Sequence, residues 1–96
     1  MRKIKKEGVP LPSFSSVLSA YERHELEQWI KEAKISMEEL QQKFQQWVEK
    51  FKNAETDKEI KQILNELSNP QKNRLGNFPG IKQLQFYAEA LLKNRG

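Results

Sequence analysis

The chain has 96 residues, of which 36% are hydrophobic and 31% charged, with a mean hydropathy of −0.87 and a net charge of +4. That supplies one core, and no run approaches the roughly 20 apolar residues that a membrane span requires. There is no Cys, which excludes disulfides, thiolate metal sites and Cys nucleophiles.

Residues 1–13 are expected to form an extended basic arm. Pro10 and Pro12 flank Leu11, with Gly8 before them, and each Pro removes an amide donor and biases its predecessor toward extended backbone. Residues 14–96 are expected to form a single helical domain. A short turn over 14–18, capped by Ser13, opens it. Three sites then match the capping box, in which a hydroxyl accepts from the N3 amide and a Glu reaches back. They are Ser19-Ala20-Tyr21-Glu22, Ser36-Met37-Glu38-Glu39 and Thr56-Asp57-Lys58-Glu59. Ile35 and Leu40 add a hydrophobic staple around the second.

The helices predicted from these starts cover 20–34, 37–53 and 57–68. The first carries Leu26, Trp29, Ile30 and Ala33 on one face, and the third carries Ile60, Ile63, Leu64 and Leu67. The second has Met37, Leu40, Phe44, Trp47 and Phe51 in a heptad-like seam widened by Val48, which predicts the central element. Residues 68–80 are polar and rich in turn formers, with Leu75 and Phe78 as anchors. A last helix over 81–93 buries Ile81, Leu84, Ala88, Leu91 and Leu92, with Tyr87 at the margin. No stretch alternates apolar and polar residues with β-branched enrichment, so no strand is predicted. The expected fold is all-α, a four-helix bundle-like domain with a basic N-terminal arm.

Catalytic apparatus is sparse. His24 is the sole histidine, and the position four residues later, where the zinc-protease helix motif needs a second imidazole, is Gln28. The carboxylate pairs Glu22/Glu25 and Glu55/Glu59 sit at helix starts, where capping and the helix dipole account for them. The four glycines are scattered, so no phosphate loop exists. The chain is expected not to be an enzyme, with no metal and no cofactor. A helix-turn-helix across residues 20–53 fails on charge, because Glu38 and Glu39 would face the phosphates of a duplex.

Charge is uneven along the chain. Residues 1–13 hold four cations and one acid, residues 14–68 hold eight and eleven, and residues 69–96 hold five and one. Cations concentrated at the ends favour polyanions as partners. The candidate nucleic-acid contacts are Arg2, Lys3, Lys5 and Lys6 on the arm, with Lys72, Arg74, Lys82, Lys93 and Arg95 in the last third. Gln71, Asn73, Asn77 and Gln83 would add neutral donors. A rival set lies on the last helix, where Phe86 falls opposite the apolar stripe and, with Tyr87, marks a protein contact. The expected function is a non-catalytic module that associates with DNA, RNA or a nucleoprotein complex. The alternative is a protein-only adaptor or inhibitor that docks through Phe86 and the Gln-rich face of the 37–53 helix. A basic N-terminus with no apolar stretch of signal-peptide length after it predicts a cytoplasmic protein.

Overall fold

The computed structural model describes residues 8–94, and these form five helices with no strand among them. The first, α1 (Phe14–Ala20), starts at Ser13, whose hydroxyl accepts from the Ser16 amide at 3.4 Å. The expected turn after Ser13 is therefore a helix in its own right. Its Phe14 and Val17 are buried, and the Phe14 ring meets Phe44 at 5.8 Å.

The helix expected over 20–34 starts three residues late, as α2 (Arg23–Ala33). Tyr21 and Glu22 both have extended backbone, with ψ of 147° and 148°. The capping box at Ser19 is corrected accordingly. Ser19 lies inside α1 and donates its hydroxyl to the Ser15 carbonyl at 3.0 Å, so it cannot serve the α2 amides. The break turns α1 so that Phe14 and Val17 enter the core, while α2 buries Leu26 on its own axis. Lys34 ends α2 in the left-handed conformation. Its amide and that of Ile35 donate to the carbonyls of Lys31 and Ile30, which satisfies two terminal acceptors.

At the other two sites the hydroxyl half of the capping box forms, without the reciprocal bond from the Glu carboxylate to the N-cap amide. Ser36 accepts from the Glu39 amide at 3.1 Å and opens α3 (Met37–Asn53). Thr56 accepts from the Glu59 amide at 3.3 Å and opens α4 (Asp57–Leu67). The Glu59 carboxylate reaches one residue beyond the cap and accepts from the Glu55 amide at 2.6 Å.

Helix α3 is the central element. Leu40, Phe44, Trp47, Val48 and Phe51 are all buried, and α3 packs against α1, α4 and α5. The last helix, α5 (Ile81–Lys93), completes the core with Ile81, Leu84, Tyr87, Ala88 and Leu91. Tyr87 stands edge-on to Phe51 at 6.4 Å. Between α4 and α5, Phe78 is buried and Leu75 is half-buried against the core. Gly80 makes this close approach possible. Its φ is 109°, and a Cβ there would lie 2.8 Å from Cδ2 of Phe44. No helix among the described residues is long and apolar enough to cross a membrane.

Candidate functional site

The 68–80 loop runs back along α3. One interaction fixes it there. Asn73 is only 4% exposed, and its Nδ2 donates to the carbonyls of Leu67 at 2.8 Å and Gly76 at 2.9 Å. Both amide hydrogens are thereby spent within the chain, so Asn73 is not the ligand donor expected from the sequence. With the Asn73 side chain held inward, its neighbours Lys72 and Arg74 are exposed.

Lys72 and Arg74 form one wall of a groove of about 430 Å³ whose other wall is α3. Helix α3 contributes Glu39, Lys43, Gln46 and Lys50, spaced by four, three and four residues and hence along one face. Trp47 forms the floor, and Gln71 and Leu75 complete the loop side. The groove thus carries four cations and one carboxylate. Lys50 is held in place, with its Nζ 4.4 Å from the centre of the Trp47 ring and 3.8 Å from Oε2 of Glu66. No carboxylate among the described residues lies within ion-pair distance of Lys43, Lys72 or Arg74.

Lys43 and Lys50 were not among the candidates that the sequence offered. Their shared face with Glu39 and Gln46 was readable as a helical stripe, but nothing in it says that the 68–80 loop returns to cover its edge. Lys82 and Lys93 do not line the groove. They stand on the exposed outer face of α5. Arg2, Lys3, Lys5, Lys6 and Arg95 lie outside the described residues.

The two candidate protein contacts differ sharply. Phe86 is 66% exposed, whereas Tyr87 is 5% exposed and belongs mainly to the core. Burial raises the Tyr87 phenol above its ordinary range, and the nearby Glu49 carboxylate adds to this, so the ring stays neutral. Phe86 and Tyr87 line a second cleft of about 400 Å³, together with Val9, Pro10, Leu11 and Pro12. Val9 is half-buried against the core.

His24 is exposed, with Nδ1 3.3 Å from Glu22 Oε2, and Glu25 completes an exposed group of ligand atoms within 4.8 Å of one another. These are the N-cap and first-turn residues of α2, and Gln28 pairs with Glu32 rather than with them.

Chemically, the basic groove offers ammonium, guanidinium and amide donors. Trp47 is only 6% exposed and Lys50 Nζ lies over its ring, so it offers no stacking platform. Such a lining suits the phosphodiester backbone of a polyanion better than the faces of its bases. Comparison with protein families, with curated proteins and with solved structures finds no match to this chain.

Proposed function

We propose that this chain is a non-catalytic, bundle-like helical module that binds nucleic acid through the phosphate backbone. Lys43 and Lys50 of α3 and Lys72 and Arg74 of the loop make the central contacts. The basic arm, with Arg2, Lys3, Lys5 and Lys6, adds to them, as do Lys82, Lys93 and Arg95 more peripherally. One observation carries this reading. Cations from two segments far apart in sequence line a single groove that holds one carboxylate. Positive charge focused in a concave surface attracts phosphate more strongly than the same charge spread over a convex one. The groove has no nucleophile–base pair, and the reading requires no cofactor.

The test is fluorescence anisotropy with labelled single-stranded RNA, single-stranded DNA and duplex DNA across a salt series. Each neutralised phosphate contributes about −0.9 to the slope of log K against log salt on a duplex, so three to five contacts give about −2.7 to −4.5. Sequence preference should be weak, because few rigid bidentate readers are present. Absence of binding to all three probes at about 50 mM salt, where electrostatic attraction is little screened, overturns the reading. A second reading, a protein-only adaptor, is favoured by the exposure of Phe86. It predicts no nucleic-acid binding and loss of a protein partner on Phe86→Ser.

A further inference from the structure

We infer that the outer face of α5 is a self-docking surface, on which two copies of this chain pair antiparallel about a two-fold axis near Phe86. Lys82, Phe86, Glu89 and Lys93 are all exposed and recur at spacings of four, three and four, so they form one stripe along the helix. With a rise of about 1.5 Å per residue, Lys82 lies about 6 Å before Phe86 and Glu89 about 4.5 Å after it. Within the stripe, Lys82, Phe86 and Glu89 are complementary to their own reverse, while Lys93, about 10.5 Å past Phe86, lies beyond them and faces no charge of the other stripe. Laid antiparallel, two such faces bring Lys82 of each copy opposite Glu89 of the other, with the two Phe86 rings meeting at the axis. Laid parallel, they would set Lys82 against Lys82 and Glu89 against Glu89. This charge order selects a second copy as the occupant, and the symmetric pairing closes on itself.

The apolar part of the surface fits the same arrangement. Phe86 borders the 400 Å³ cleft, whose rim includes Leu11 at 51% exposure. Ala90, one turn after Phe86, is small enough to leave the cleft open toward an incoming ring. Stable interfaces bury roughly 1,200–2,000 Å², and one helix stripe with its bordering segment offers less. The pairing is therefore a weak one, populated at high protein concentration.

Sedimentation equilibrium of the full chain tests this, from about 1 to about 500 µM, a range that brackets micromolar affinities. The expected result is a mass rising from one copy to two and no further. Phe86→Asp should stay at one copy throughout, with the thermal melt of the parent at low concentration. Lys82→Glu and Glu89→Lys should each weaken pairing by about tenfold through like-charge contact, and the double reversal should restore it. A parent that keeps the mass of one copy over the whole range overturns the proposal and leaves the face to a different occupant. A double reversal that pairs no better than the single variants overturns it equally, because the charges would then not face one another.

Discussion

Asn73 shows how much of the candidate site depends on one uncharged side chain. It is buried, and its two hydrogen bonds join the end of α4 to the turn at Gly76. Asn73→Ala leaves two carbonyls without their donor, which costs on the order of 1–3 kcal/mol when the groups stay buried. Denaturant melts should show that loss. Anisotropy should show weaker nucleic-acid binding as well, although the charge of the protein is unchanged, because Lys72 and Arg74 lose the anchor between them. Unaltered binding by a destabilised Asn73→Ala would mean that the loop need not be fixed to bind. At this scale the sequence was legible where physics is local. Ser36 and Thr56 both cap as their spacing implies. Ser19 matches the same pattern and does not, because its hydroxyl finds the carbonyl four residues back inside α1. Lys34 was legible as the end of the helix but not as a left-handed residue. Its left-handed backbone, at φ 59°, is a position where glycine is the usual signal.

Among the elements, α3 carries the largest stake. The seam from Leu40 to Phe51 is buried throughout, and three other helices pack on it. Trp47→Ala should lower stability by roughly 3–5 kcal/mol, the range for emptying a buried aromatic site. That is a large share of the roughly 5–15 kcal/mol that holds a typical domain together. A calorimetric melt matching the parent would show that α3 is not the core element. Capping and turn signals together with periodicity located α3, α4 and α5 to within a residue or so, because each has a marked start and one strongly apolar stripe. The start of α2 departs from the one that the Ser19 box implies, because Ser19 belongs to α1 and Glu22 stands at the N-cap. Val17 is fully buried in the core cluster, while Leu18 beside it is 45% exposed. The change of helix axis itself was legible, because Val17, Leu18 and Tyr21 fall off the apolar face of α2, but the residue at which the axis changes was not.

At the scale of the whole molecule, the described residues extend over 43 × 28 × 16 Å, so the chain is thin and presents broad faces. The sequence indicated an excess of positive charge near the ends. It did not indicate that α3, whose charges balance, would supply half the cations of the groove. The matching of α3 to the loop is therefore the claim to test, with variants that all change net charge by the same amount. Lys43→Glu and Lys72→Glu each reverse one groove cation, on opposite walls. Lys31→Glu reverses an exposed cation of α2 that does not line the groove. If both walls face one run of phosphates, Lys43→Glu and Lys72→Glu should each make the salt slope shallower by about 0.9, the value for one lost contact. Lys31→Glu should shift affinity only through the long-range field, which is screened beyond about 10 Å at 0.1 M salt. Equal losses for all three would mean that net charge alone governs binding. A loss for Lys72→Glu but none for Lys43→Glu would assign the contact to the loop by itself, with α3 as its support and not as a wall of the site.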